Sequence, residues 1–137
     1  MSDIVFVDTG AWFAGMVRND QFHEAAVECR MSLTAAGERF FTSNLVINET
    51  TMLLERKAGR KHAILFLRAV MTDPAIRVLH IDQQLEHEGY RLYQKYKDQT
   101  YSITDCVSFA AMKLYRIKTA FTFDRHFTDM GFIAVPD

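Results

Sequence analysis

The stretch IVFVDTGAWFAGM, residues 4 to 16, joins a short apolar run to an apolar helical segment through a single aspartate. Continuous apolar runs of this length are typical of parallel strands that are buried on both faces of a sheet. The run ends at Asp8, and the residues from Thr9 onwards suit a helix. We therefore predict a strand that leads directly into a helix, with one carboxylate at the junction.

The chain repeats this alternation of strand-like and helical runs. Further strand-like runs are RFFTS, IRVLHI, TAFTFD and FIAV, at residues 39–43, 76–81, 119–124 and 132–135. Apolar residues at helical spacing predict helices between them, with N-caps at Asn44, Asp82 and Thr104. Strands separated by helices indicate βαβ units, so we expect one α/β domain, residues 1–137, with a mainly parallel sheet.

Composition argues against several classes of function. A net charge of −1 gives no general attraction to nucleic acid, so RNA binding would depend on local patches or on bound metal. Cys29 and Cys106 stand apart and the five histidines form no HExxH pattern, so thiol catalysis and a zinc site are not supported. The apolar runs are too short to cross a bilayer and no signal-peptide pattern is present, so we expect a cytoplasmic protein without membrane contact.

Two aspartates close apolar strand-like runs. Asp8 follows IVFV and Asp124 follows TAFTF. Ligands of open α/β sheets bind beyond the carboxyl ends of the strands. If the two strands are parallel neighbours, both carboxylates project into one crevice.

Two further acids lie in apolar helical segments, and each has a structural alternative. Asp105 opens a helix, where an acid interacts with the helix dipole and contributes about 0.3 to 1 kcal/mol. Glu49 shares a helical face with Leu45 and Leu53, a costly position for a carboxylate without a partner. The alternative for Glu49 is an ion pair with a lysine or arginine.

Taken together, the four acids indicate a cation site. Hydroxyl groups of Thr9, Ser102 and Thr104 lie close to them in sequence, which gives an all-oxygen set of ligands. Such a set favours Mg²⁺ or Mn²⁺ over zinc or copper. Ions of this kind activate water and stabilise the charge that develops on a phosphoryl group, so the sequence predicts phosphodiester hydrolysis.

Four segments of the chain also resemble a known family. VDTGAW, NLVINETTMLL, SITDCVSFAAMK and AFTFDRHF followed by GF occur in the order and approximate spacing of the PIN-domain ribonucleases. The resemblance spans nearly the whole chain and is strongest to the VapC-type toxins of toxin–antitoxin pairs. It implies a catalytic quartet that binds Mg²⁺ or Mn²⁺, with polar residues beside it: Asp8, Glu49, Asp105 and Asp124, and then Thr9, Ser102 and Thr104.

The resemblance implies a PIN-like three-layer sandwich, in which a mainly parallel sheet of four to five strands is flanked by helices. It implies a metal-dependent endoribonuclease that hydrolyses RNA, forms a homodimer and is inhibited by a small antitoxin protein. Gly10 stands where many relatives have serine, which removes one hydroxyl but no carboxylate. A housekeeping RNA-processing nuclease and a PIN-like binding module without catalysis remain alternatives.

Overall fold

Residues 3–137 form a single five-stranded sheet in which every neighbouring pair of strands is parallel. The computed structural model describes residues 3–137, so Met1 and Ser2 lie outside the described part of the predicted domain. The strand order is β3-β2-β1-β4-β5. The strands are β1 (Ile4–Val7), β2 (Arg39–Ser43), β3 (Ile76–Leu79), β4 (Thr119–Phe121) and β5 (Ile133–Val135).

Within residues 3–137, seven helices flank this sheet, which confirms the predicted α/β sandwich. They are α1 (Thr9–Met16), α2 (His23–Ala35), α3 (Asn44–Ala58), α4 (Arg60–Thr72), α5 (Gln83–Lys95), α6 (Ile103–Leu114) and α7 (His126–Asp129). The chain moves outward from β1 to β3 and then crosses back to β4 on the other side of β1. Because such crossovers are right-handed, the two directions of winding place helices on opposite faces of the sheet.

The centre of the sheet is fully buried, as the apolar run at residues 4–7 predicts. Val5, Phe6 and Val7 of β1 are each at most 1% exposed. β1 pairs with β4, where Val7 lies opposite Phe121. The residues that follow these two strands therefore leave the same edge of the sheet side by side.

Helices α5 and α6 approach each other closely at the interior glycine of α5. A Cβ atom at Gly89 would overlap the side chain of Val107 on α6. This close approach accounts for a glycine inside a helix, where it is otherwise unfavourable. It also fixes the position of α6, whose first turn carries Asp105.

Two of the predicted helix caps are wrong by one or two residues. Ser43, not Asn44, caps α3, since its hydroxyl accepts a hydrogen bond from the backbone N–H of Val46 at 3.2 Å. Asn44 instead uses its side-chain oxygen to accept a bond from the N–H of Ile81 at 2.9 Å. Ser102, not Thr104, caps α6. The cap at Asp82 is confirmed, because its carboxylate accepts from the backbone of α5 at 2.9 Å.

The fourth strand is shorter than the apolar run suggests. β4 ends at Phe121, three residues before Asp124. Asp124 lies in a turn that its own Oδ1 closes by accepting a bond from the N–H of His126 at 3.0 Å. Among residues 3–137, no helix has the length and apolar character needed to cross a membrane.

Candidate active site

All four predicted acids line one pocket at the carboxyl ends of β1 and β4. The pocket has a volume of about 590 Å³. Each acid comes from a different part of the fold: Asp8 follows β1, Glu49 lies in the middle of α3, Asp105 lies in the first turn of α6, and Asp124 lies in the turn after β4. The predicted neighbourhood of β1 and β4 is confirmed. The sheet and two helix segments thus bring together acids that are up to 116 positions apart in sequence.

The predicted polar residues divide into two groups. Thr9 and Ser102 line the pocket, whereas Thr104 is absent from its lining, and Gly10 lines the pocket without a side chain. Thr104 is the second residue of α6, and its supporting role stays a prediction. At Gly10 a Cβ atom would meet nothing within 4 Å, so the serine found in many relatives would fit.

Asp8 is the most deeply buried of the four acids. It is 6% exposed, and its Oδ2 accepts a hydrogen bond from the hydroxyl of Thr122 at 3.1 Å. Burial, and next the nearby charge of Asp105, raise the pKa of Asp8 from 3.8 to about 7. An ionised Asp8 therefore costs free energy in this pocket unless positive charge is supplied.

Glu49 has a hydroxyl as its partner. The Thr9 hydroxyl donates to Glu49 Oε1 at 2.7 Å. Within residues 3–137, Glu49 forms no ion pair with a lysine or arginine, so the structural alternative considered for this acid is wrong. Since Thr9 begins α1 directly after Asp8, this bond ties α3 to the carboxyl end of β1.

Asp105 is held by a reciprocal cap at the start of α6. Its backbone N–H donates to the Ser102 hydroxyl at 3.0 Å, and its Oδ2 accepts from the Ser102 N–H, also at 3.0 Å. The capping alternative for Asp105 is therefore real. The cap uses only Oδ2 of Asp105, so Oδ1 takes no part in it. Because Oδ2 is held by the Ser102 N–H, the cap also fixes the orientation of the carboxylate.

His126 lies between two of the acids. Its Nδ1 is 3.1 Å from Asp105 Oδ2 and 3.2 Å from Asp124 Oδ2. Because an ionised carboxylate only accepts hydrogen bonds, a hydrogen bond to either ionised acid requires the His126 tautomer that has its proton on Nδ1. The other ring nitrogen is 3.1 Å from the hydroxyl of Thr100. Potential ligand atoms of Asp105, Asp124 and His126 all lie within 4.8 Å of one another.

The pocket holds carboxylates without arginine or lysine partners. In the described part of the chain, no nitrogen of these side chains lies within 4.0 Å of a carboxylate of the quartet. Other acids are paired, for example Glu88 with Arg91 at 2.6 Å. A donor set of carboxylates and hydroxyls suits a hard divalent cation, so the residues present fit the Mg²⁺ or Mn²⁺ that the family implies.

Sequence reasoning missed several residues of the pocket region, among them Thr122 and His126. Thr122 donates to Asp8 and accepts from the backbone N–H of Asp124 at 3.0 Å, so one hydroxyl links both aspartates. His126 carries no signal at helical ligand spacing. The only feature of the sequence that could have identified His126 is its position two residues after Asp124, just beyond a predicted strand.

The free thiols do not contribute nucleophiles. Cys106 is fully buried beside Asp105, and burial, followed by that carboxylate, raises the pKa of the Cys106 thiol to about 11. Cys29 is also a free cysteine, and burial raises its pKa. Since the thiolate is the reactive form, neither residue suits catalysis at neutral pH.

Comparison with known proteins agrees with this geometry. The PIN-domain family model matches residues 5–133. The 23S rRNA-specific endonuclease VapC20 of Mycobacterium tuberculosis is 32% identical over 132 residues, which cover 96% of this chain and 98% of that protein. The crystal structure of VapC20, described as a sarcin–ricin loop cleaving toxin, aligns with a TM-score of 0.85 at 30% identity, over 94% of this chain and 96% of that chain.

More distant structures share the fold. The structure of VapBC2 from Rickettsia felis, bound to a DNA fragment from its promoter, aligns with a TM-score of 0.70 at 11% identity and 96% coverage of both chains. FitAcB from Neisseria gonorrhoeae aligns with a TM-score of 0.68 at 17% identity and 95% coverage of both chains. The resemblance inferred from four sequence segments is confirmed: the chain belongs to the PIN-domain family, in which it is a VapC-type ribonuclease.

Proposed function

We propose that this ribonuclease hydrolyses RNA phosphodiester bonds in the acidic pocket, with Mg²⁺ or Mn²⁺ held by the quartet. The observation that carries the proposal is the convergence of four carboxylates from four parts of the fold, none of which has a lysine or arginine partner among residues 3–137. Self-repulsion in such a cluster is unfavourable unless a cation offsets it. The quartet consists of Asp8, Glu49, Asp105 and Asp124.

The bound ion supplies positive charge that lowers the pKa of water and stabilises the charge developing on the phosphoryl group. The residues of the chain hold the acids in place for this chemistry. Thr9 orients Glu49, Ser102 orients Asp105, and the Thr122 hydroxyl orients Asp8. In the absence of a cation, the Nδ1–H of His126 partly offsets the charge of the two acids beside it.

The four acids are expected to contribute unequally. Mg²⁺ usually keeps several waters and takes only one or two carboxylates directly, so four acids exceed the need of one ion. The buried Asp8 and the capped Asp105 are the proposed direct ligands. Asp124, whose side chain is 40% exposed, is proposed to act from further out.

The substrate that we propose first is a ribosomal RNA hairpin. VapC20 is named as specific for 23S rRNA and as cleaving the sarcin–ricin loop, and it is 32% identical to this chain over 98% of its own length. Arg125 lines the acidic pocket and provides a positive charge for an RNA phosphate. We propose that residues 1–137 act as one PIN-like domain in the cytoplasm, where ribosomes are found.

The proposed partners are a second copy of the chain and a small antitoxin protein. The structural relatives VapBC2 and a toxin–antitoxin complex from Klebsiella pneumoniae support an antitoxin partner. A toxin and a housekeeping RNA-processing enzyme differ in their effect on growth. Induced expression of the chain without a partner should therefore slow growth, and expression of Asp8→Asn should not.

The direct test is cleavage of a sarcin–ricin loop hairpin by the purified protein. We expect cuts at defined positions with Mg²⁺ or Mn²⁺, no cuts in EDTA, and no cuts by Asp105→Asn with either ion. Glu88→Gln, which removes a surface acid outside the pocket, is the matched control and should cleave like the parent. Cleavage that persists in EDTA would contradict the proposal, and cleavage of other RNAs only would overturn the substrate.

A further inference from the structure

Two phenylalanine rings lie face to face at the rim of the acidic pocket. The centroids of Phe22 and Phe123 are 4.7 Å apart, and the ring planes differ by 7°. Both residues line the same pocket as the four carboxylates. All eleven phenylalanines of the chain lie within residues 3–137, and Phe22 is the only one classed as exposed, at 40%.

The two rings are anchored before anything binds to them. The backbone N–H of Phe22 donates to Asp20 Oδ2 at 2.9 Å, which fixes the turn that precedes α2. Phe123 packs edge-on against Phe121, with centroids 6.2 Å apart, and Phe121 is buried in the core. A preformed aromatic surface loses little conformational freedom when a ligand stacks on it.

Core packing does not account for this arrangement. The other phenylalanine residues are buried or half-buried, whereas Phe22, whose ring stacks on Phe123, remains 40% exposed. A single exposed apolar side chain is common on protein surfaces. A fixed aromatic pair that opens into a pocket of carboxylates is a more specific feature, since it joins a planar apolar surface to a site for cations.

We propose that the Phe22–Phe123 pair binds a nucleobase of the RNA beside the scissile phosphate, an inference that rests on the proposed ribonuclease function. Bases in single-stranded RNA stack on aromatic side chains. Phe123 directly precedes Asp124 of the quartet, so a base on this pair belongs to a nucleotide next to the cleaved bond. The exposed side of Phe22 is the surface on which the base stacks.

An apolar segment of a protein partner fits this place less well. Such a segment would cover the carboxylates around the two rings and remove them from water without a hydrogen-bond partner, which is unfavourable. A nucleotide brings one flat apolar surface for the rings, and its phosphate faces the cation that the carboxylates hold. The aromatic pair and the carboxylates of the pocket therefore match the base and the phosphate of one nucleotide.

The first test compares steady-state cleavage of one mapped RNA hairpin by variants of Phe22. Stacking contributes to substrate and transition-state binding alike, so Phe22→Leu should raise KM about 5- to 10-fold and change kcat less than about twofold. Phe22→Trp, which keeps an aromatic face, should restore the parent KM. Tyr115→Leu removes a similarly exposed aromatic ring at the far end of α6 and is the control without effect.

The second test identifies the base. A series of hairpins carries one abasic nucleotide at each position around the cleaved bond. For the parent protein, one adjacent abasic position should raise KM by the same factor as Phe22→Leu, and Phe22→Leu should show no further increase at that position. The parent protein alone suffices for the scan, so the inference stays testable if a variant folds poorly.

The outcomes separate this inference from the proposed function. If the parent cleaves no RNA with Mg²⁺ or Mn²⁺, the proposed function fails and the base site fails with it. If the parent cleaves but no adjacent abasic position raises KM, or Phe22→Leu keeps the parent KM, only the base site is overturned. An unchanged KM together with weaker inhibition by an antitoxin would assign the rings to a protein contact instead.

Discussion

Two cavities of similar size lie beside helix α1, and they differ in whether their charged side chains are paired with opposite charges. The acidic pocket has a volume of about 590 Å³ and contains the quartet. The second cavity, called here the apolar groove, has a volume of about 490 Å³ and lies between α1 and α2. It is lined by Ala11, Trp12, Gly15, Met16, Ala26, Val27, Arg30, Met31, Thr34, Ala35 and Phe121.

The single charged residue of the apolar groove is compensated. Arg30 lies 3.3 Å from the carboxylate of Asp73, and its guanidinium is 5.5 Å from the ring centroids of Trp12 and Phe40. The acids of the pocket have no arginine or lysine partner among residues 3–137. The fold thus balances charge where only packing is required and leaves it unbalanced where a cation is expected to bind.

The largest expected effect comes from neutralising the most buried acid. Asp8→Asn keeps the shape of the side chain but removes the charge that holds the cation, so metal-dependent cleavage should fall by more than about 10³-fold. The fold should survive, because the amide relieves self-repulsion in the pocket. Cleavage assays and thermal melting in EDTA check both parts. A large loss of stability in EDTA would show that Asp8 serves packing rather than metal binding.

A smaller loss is expected from Asp124, whose side chain is 40% exposed. Substitution of a residue that supports a metal site without binding the ion directly typically lowers metal affinity or activity by about 10- to 100-fold. Asp124→Asn should therefore retain weak cleavage that excess Mn²⁺ partly restores. Asp8→Asn should stay inactive in the same titration. Equal inactivity of both variants at every Mn²⁺ concentration would place Asp124 among the direct ligands.

The raised pKa of Asp8 predicts how stability depends on pH without metal. Its pKa is about 7 in the folded protein and 3.8 in its ordinary state, so the folded state binds this proton more tightly. The contribution of this bound proton to the free energy of unfolding is fully present below about pH 4 and is lost as pH rises through 7. Melting temperatures in EDTA should fall over this window in the parent and fall less in Asp8→Asn. Parallel curves for the two proteins would contradict the assignment.

The smallest effect is expected in the apolar groove. Met31 is 67% exposed there, so Met31→Ala should change the free energy of unfolding by less than about 0.5 kcal/mol. Cleavage should stay within about twofold of the parent, since this side chain does not line the acidic pocket. Denaturant unfolding and the hairpin assay measure the two quantities. A loss of cleavage comparable to that of Asp124→Asn would contradict the claim that only the acidic pocket takes part in cleavage.

Sequence alone was sufficient for the features that depend on pattern over many residues. The buried apolar run before Asp8 and the alternation of strands and helices predicted the parallel sheet, and the sheet brings Asp8 and Asp124 to one edge. Features set by tertiary contact were missed. Asn44 resembles a helix cap in sequence. Its side-chain oxygen instead accepts a hydrogen bond from the backbone N–H of Ile81, which lies in the loop between β3 and α5.

The same limit applies inside the pocket. Thr122 and His126 acquire their positions only when the turn after β4 folds back towards α6, so no local spacing identified them. Composition carries no information on exposure, so the sequence did not distinguish Phe22 from the other ten phenylalanines. Its stacking on Phe123 depends on the approach of the α1–α2 connection to the turn after β4.

The central claim is that the four carboxylates form one cation site, and thermal melting with Mn²⁺ tests it most directly. A ligand that binds only the folded state at a hundredfold excess over Kd contributes about 2.7 kcal/mol, which corresponds to roughly 5 to 15 °C in Tm for a domain of this size. Addition of Mn²⁺ should raise the Tm of the parent and of Glu88→Gln by this amount, and should leave the Tm of Asp8→Asn and Asp105→Asn unchanged. A parent Tm that does not respond to Mn²⁺, or an equal rise in Asp8→Asn, would contradict the account.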